Sequence, residues 1–315
     1  MTHGVADRAK PPTPRRRTVL FAPACWAAAS LVARPAAGTA ARTAAGTAAS
    51  GATALLIGNS AYRQAPLRRA AGDAQAMAAV LRGMAFDVQL AQDLAWAPMV
   101  ESMAEWVRRA QDSPLRLFYF AGHGLQAHGR NHLHPVGPAP EHERQLRSRT
   151  VDLDEWLERL GRLRQGVSIV FIDACRSEVL ARGLRPTRAA RTTGLAAAPD
   201  PLPRGMVVAF STGPGSRAVD DGGRGHSPYT RRLIEALQGP PATVEAMLKR
   251  VHTAVEQDTA GAQRPWLSTS LVGELCLQPR QAAGAPARPS PGGTDAACAR
   301  PDDLRARDLD RERAR

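Results

Sequence analysis

The chain is almost without lysine: only Lys10 and Lys249 occur, so its formal net charge of +13 is carried by arginine. Aromatic residues are scarce too, at 4%. A nucleic-acid module interleaves its cations with aromatic platforms on one face. Arginine spread through an alanine-rich chain without such platforms reads instead as solvated surface, and no nucleic-acid partner is expected. The four cysteines, Cys25, Cys175, Cys276 and Cys298, are too few and too scattered for a disulfide framework. The longest apolar stretch, Val19 to Ala33, falls short of the roughly 20 residues that cross a bilayer. No internal repeat is visible, which argues against a solenoid or propeller.

At the start of the chain stands a targeting pattern. Arg15-Arg16-Arg17-Thr18-Val19-Leu20 sets a twin arginine before the apolar stretch, and Pro35-Ala36-Ala37-Gly38 offers small residues for cleavage. Residues 1–38 are therefore expected to be a twin-arginine-type signal that sends a bacterial protein to the periplasm or the medium. An N-terminal segment retained as an anchor is the alternative; once the signal is removed, no stable membrane insertion is expected. The Thr/Ala/Gly-rich residues 39–51 read as a flexible linker, and 279–315, mixing Pro, Gly, Ala and alternating charge, as a disordered tail.

Between these ends, over residues 52–278, strand-like and helical patterns alternate. Ala54–Gly58, Phe86–Leu90, Leu115–Phe120, Val167–Ile172 and Met206–Phe210 are short apolar runs; Asp73–Met84, Pro98–Ala110, Asp152–Leu163, Tyr229–Leu237 and Val244–Val255 have helical spacing. Continuous apolar strands between amphipathic helices predict an α/β fold, a mostly parallel central sheet covered by helices on both faces.

In such a sheet, reactive groups gather beyond the carboxyl ends of the strands. Two runs deliver them there: Phe118-Tyr-Phe-Ala-Gly-His-Gly124 and Ile172-Asp-Ala-Cys-Arg176. If the two strands are neighbours, His123 and Cys175 emerge together. A thiolate is an effective nucleophile near neutral pH, and an adjacent imidazole takes its proton and returns it to the leaving group. The glycines beside His123 are expected to let the chain turn sharply, turning the Gly124 N–H, with that of Cys175, toward a developing oxyanion. Taken singly, a cysteine at a strand end is packing and a histidine between glycines is a turn residue; the pairing gives them weight.

The separation of about 50 residues between the two, with cysteine following in Asp173-Ala-Cys-Arg-Ser177, is that of the caspase signature with Asp in place of Gln and Ser in place of the last Gly. Leu56-Ile-Gly-Asn-Ser-Ala-Tyr62, Gly72-Asp-Ala74, Ser211-Thr-Gly-Pro-Gly215, Ser227-Pro-Tyr-Thr230 and Gln263-Arg-Pro-Trp266 occur in the same order as in that family. The chain thus resembles the caspase family of cysteine endopeptidases on its bacterial, metacaspase side, from about Ala52 to Leu277. The resemblance implies a caspase-type three-layer sandwich and a His123–Cys175 dyad. It also implies a large-subunit-like part (52–176), a junction loop (177–204) and a small-subunit-like part (205–278).

Metacaspases resemble one another in placing acids in the pocket for the residue before the scissile bond. Asp173 stands where caspases carry Gln, and Asp73 matches the acid of the metacaspase Asn-Asp motif, with Gly72 in place of the Asn. Two carboxylates there favour cleavage after Arg or Lys. For Asp73 a plain helix N-cap is the alternative. Ser211 and Asp220 match a loop that helps wall the cleft, and Ala121 replaces a serine common in metacaspases. The junction loop holds Arg182, Arg185, Arg188 and Arg191, so self-cleavage there is one reading and a solvated loop the other.

His128, His132, His134 and His142 lie close in sequence but lack the cysteine or carboxylate spacing of a zinc site, so no metal ligands are assigned. Many metacaspases depend on calcium; Asp152 and Asp154 are candidate oxygen donors, without a recognisable carboxylate loop. The expected partners are proteins or peptides carrying basic residues. The competing function is a caspase-fold interaction module whose protease is weak or inactive.

Overall fold

Alternation within the strands decides how the layers form. The computed structural model describes residues 51–163, 165–176, 195, 198–213, 218 and 225–277, with the backbone alone at Cys175 and Arg176. The expected signal, nearly all of the linker, most of the junction loop, Asp220 and the expected tail lie outside the described residues.

The elements run β1 (Thr53–Gly58), α1 (Ala70–Gly83), β2 (Asp87–Gln92), α2 (Trp96–Arg109), β3 (Leu115–Ala127), β4 (Arg130–Leu133), α3 (Leu146–Arg149) and β5 (Val151–Asp152). Then follow α4 (Leu153–Gly161), β6 (Val167–Arg176), β7 (Met206–Phe210), α5 (Pro228–Leu237), α6 (Val244–Asp258) and β8 (Trp266–Thr269). The sheet order is β2-β1-β3-β6-β7-β8; β4 folds back on β3, and β5 pairs with β4. All pairs from β2 to β7 are parallel, and β8 closes the edge antiparallel to β7.

Successive strand residues face opposite sides. Leu56, Tyr119, Phe171 and Ala209 join a core with α1, α5 and α6, whereas Ile57, Phe120, Ile172 and Phe210 join a second core with α2 and α4. The result is a three-layer α/β sandwich with a mostly parallel central sheet. In α2, Met99, Met103 and Trp106 recur at helical spacing and are buried, each contributing about 1.5–3 kcal/mol by leaving water. α1 lies so close to β1 that a Cβ on Gly58 would stand 2.4 Å from the Ala70 carbonyl oxygen. Side chains start the later helices: Asp152 accepts from the Glu155 N–H, Ser227 from Thr230 and Thr243 from Ala246.

Three expectations need correction. Phe120 does not end its strand: β3 runs through His123 to Ala127, and β6 through Cys175 to Arg176. Gly122 and Gly124 therefore make no turn. They are glycines for want of space: a Cβ at Gly122 would lie 2.7 Å from the Tyr62 Oη, and one at Gly124 3.1 Å from the Leu195 Cδ2. Second, α1 starts at Ala70, with Arg69 at its N-cap, so Asp73 is no cap but a buried member of the first turn. Third, Cys276 is disulfide-bonded, although the sparse cysteines predict no framework.

Candidate active site

The chain leaves β1 for β2 on one side and β3 on the other, and the crevice of an open α/β sheet forms at such a reversal of strand order. The β1–α1 connection reaches across it to His123. The His123 Nε2 lies 2.7 Å from the Ala65 carbonyl oxygen. A carbonyl only accepts, so Nε2 carries a proton, and in the neutral ring the lone pair is then on Nδ1. Ala65 holds φ at 61°, a left-handed conformation costly for an alanine, and thereby aims this carbonyl.

Tyr62 fixes the backbone beneath the ring. Its hydroxyl accepts from the His123 N–H at 3.0 Å and donates to the His134 carbonyl at 2.8 Å, while the His134 N–H donates to the His123 carbonyl at 2.9 Å. One side of this β3–β4 pairing is a direct bond; a phenol bridges the other. The Tyr62 ring also packs on the imidazole, with centroids 4.4 Å apart. Asn59 secures the same connection by accepting from the Leu94 N–H, and Asp93 accepts from the Ser60 and Ala61 N–H groups.

On the neighbouring strand, Cys175 is the register partner of His123, and Arg176 that of Gly124. Adjacent strands lie roughly 4.8 Å apart, so the two backbones are neighbours at the carboxyl end of the sheet. Gly124 is also paired with Leu133 of β4.

The two candidate pocket acids come together. Asp173, the second residue before Cys175, is buried, and its Oδ2 accepts from the Ser227 hydroxyl at 2.5 Å and the Thr230 hydroxyl at 2.8 Å. Thr230 is in turn 2.6 Å from the Tyr119 hydroxyl. Asp73 is only 1% exposed; its Oδ2 accepts from the Ser227 N–H at 3.2 Å, and its Oδ1 lies 2.6 Å from the His226 Nδ1. Burial and the Asp173 carboxylate raise the Asp73 pKa to about 6, outweighing the hydrogen bonds from His226 and Ser227 that act the other way. Burial, with Asp173 and Asp73 adding to it, also pushes the Tyr119 phenol well above its ordinary range.

A family model described as the caspase domain matches residues 52–276. The chain belongs to the caspase domain family. No curated protein matches it.

Within this caspase domain, Ser211 follows β7 and is wholly buried; its N–H donates to the Ile172 carbonyl, and its own carbonyl accepts from the Gln263 side-chain amide at 2.8 Å. Ser211 and Gln263 thus brace the loop after β7. The histidines of the β4 region diverge: His128 pairs with Glu143, His132 meets the Thr150 hydroxyl, and His134 meets the Arg149 carbonyl. Burial lowers the pKa of His132, and that of His134 to about 4. Among the described residues, no cluster of three or more His, Cys, Asp or Glu is placed to hold a metal. Of the calcium candidates, Asp152 does not fit that ion: both its oxygens are taken by the Arg130 guanidinium at 2.7 and 3.0 Å, one of them also capping α4.

A cleft of about 770 Å³ is lined by Trp96, Val100, Trp156 and Asp152 among others, and none of His123, Gly124, Asp73, Asp173 and Ser211 lines it. Chemistry, rather than cavity size, locates the site. Reasoning from sequence missed Tyr62, Ala65, His226 and Thr230. Tyr62 and Thr230 stand inside motifs already singled out, and His226 directly precedes one. Ala65 acts through its carbonyl, which no side-chain pattern signals.

Proposed function

We propose that the chain is a cysteine endopeptidase that cleaves peptide bonds after Arg or Lys, using His123 and Cys175. The observation that carries this reading is the backbone register pairing His123 with Cys175 at the carboxyl end of two adjacent parallel strands. In this reading His123 Nδ1 takes the proton of the thiol, and the thiolate adds to the scissile carbonyl. The Gly124 and Cys175 N–H groups are the donors assigned to the oxyanion. Collapse of that intermediate expels the amine, which receives the proton from His123; water then cleaves the thioester.

The buried acids support the choice of substrate. An Arg or Lys side chain reaching Asp73 and Asp173 offsets part of the negative charge there, whereas an acidic side chain would add a third carboxylate. Proteins or peptides with exposed basic residues are the partners this implies.

The test is hydrolysis of short peptides ending in Arg, Lys or Asp before a fluorogenic amide, with and without calcium, by the intact protein and by Cys175→Ala and His123→Ala. Turnover of the Arg and Lys peptides, lost in both variants, is expected. No turnover of any peptide would overturn the endopeptidase reading and leave an interaction module.

A further inference from the structure

Asp73 is almost wholly enclosed, yet one of its partners reaches solvent. The Ser227 N–H that serves Oδ2 is buried at the start of α5. The imidazole on Oδ1 belongs to a side chain that is 36% exposed. That side chain stands just before the α5 N-cap and just after Gly225, whose φ of 89° is one that other residues rarely adopt. The groups around the carboxylate are Asp73 itself from α1, Asp173 from β6, Tyr119 from β3, and Ser227 and Thr230 from the start of α5. None of these carries a positive charge. Among the described residues, His226 is the cation-capable group bonded to this carboxylate.

We propose that His226 is a specificity-determining residue of the acid recess: before substrate binds, its imidazole holds the Asp73 oxygen that the substrate's cation must take. The inference rests on the reading that Asp73 and Asp173 receive a basic side chain. Every basic substrate must displace the same imidazole, so the apparent affinity of each is lowered by one common factor, set by the fraction of molecules in which the oxygen is occupied. A substrate without a cation has no need of that oxygen and is not penalised. His226 thus sets how strongly the recess favours a basic side chain, without touching the reacting atoms.

The test compares the intact protein with His226→Ala at pH 8, where Asp73 is ionised, using the Arg and Lys peptides and, separately, benzamidine as a small cationic probe followed by calorimetry. In the variant KM should fall about 3–10-fold for the Arg and Lys peptides alike, with kcat within about twofold. Benzamidine should bind the variant tighter by a similar factor. Equal benzamidine affinity in both proteins, or an unchanged KM for the Arg peptide, overturns the inference. If neither protein cleaves a peptide but benzamidine still binds the variant more tightly, the endopeptidase reading fails while the role of His226 stands. His226→Leu, which keeps much of the bulk but has no donor for Asp73, repeats the comparison should the alanine variant fold poorly.

Discussion

Replacing Asp73 by Asn should make the protein more stable and less active at once. Asp73 is 1% exposed, and its pKa is raised from 3.8 to about 6 by burial and by Asp173. The folded protein therefore binds a proton here that the unfolded chain has already lost. Stability from this group is greatest below 3.8, declines as pH rises toward about 6, and stays reduced above it. At pH 8 the cost of holding the carboxylate ionised is about 3 kcal/mol, at 1.36 kcal/mol for each tenfold change in proton affinity. Asparagine has nearly the same shape, and its carbonyl still accepts from the Ser227 N–H, but it never ionises. Urea unfolding of the two proteins at pH 4 and pH 8 measures the difference: near zero at pH 4, and up to about 3 kcal/mol in favour of Asp73→Asn at pH 8, or roughly 1 M in urea midpoint. Cleavage after Arg should meanwhile fall about 30-fold or more at pH 8, since the guanidinium loses a charged partner. A variant less stable than the parent at both pH values would refute the argument, for it would mean that the carboxylate is held by attraction and not against its burial.

Other predictions follow from the same contacts. KM for an Arg peptide should rise as pH drops below about 6, because protonated Asp73 no longer pairs with a cation; a KM flat from pH 8 to 5 would remove Asp73 from the recess. Tyr62→Phe deletes the hydroxyl between His123 and His134, and should cost about 2 kcal/mol in unfolding experiments and lower kcat more than KM. Gly58→Ala puts a methyl group 2.4 Å from the Ala70 carbonyl oxygen and should destabilise the fold by at least about 2 kcal/mol, seen as an earlier urea transition. Thr230→Val removes the hydroxyl shared by Asp173 and Tyr119, and should raise KM for Arg peptides severalfold with little change for a peptide lacking a basic residue.

The layers were legible because β1, β3, β6 and β7 are dense in apolar residues, Arg116 and Ser168 notwithstanding, and because Met99, Met103 and Trp106 repeat at helical spacing. β4 and β8 were not, since Arg130–Leu133 and Trp266–Thr269 are short and mixed and acquire strand geometry only by pairing with β3 and β7. The start of α1 was hidden because Arg69 caps it without a side-chain bond. Gly-His-Gly suggested a turn, because a sequence shows that a Cβ is missing but not whether torsion or space requires it. Both candidate pocket acids could be named from motifs, but their juxtaposition through Ser227 and Thr230 depends on residues about 50 to 150 positions away, and only the fold supplies it.

The segment from Asn59 to Ala65 touches nearly everything the chemistry needs. Its Tyr62 hydroxyl holds the β3 backbone, its Ala65 carbonyl orients the imidazole, and its Ser60 hydroxyl accepts from the Ala71 N–H in the first turn of the helix that carries Asp73. In the proposed endopeptidase, proton transfer and substrate choice would thus both hang from one short bend of chain, and a shift there would move both together. Damage to this bend should not sort cleanly into a catalytic or a binding defect, and anything that grips or releases it would throttle the whole centre from outside.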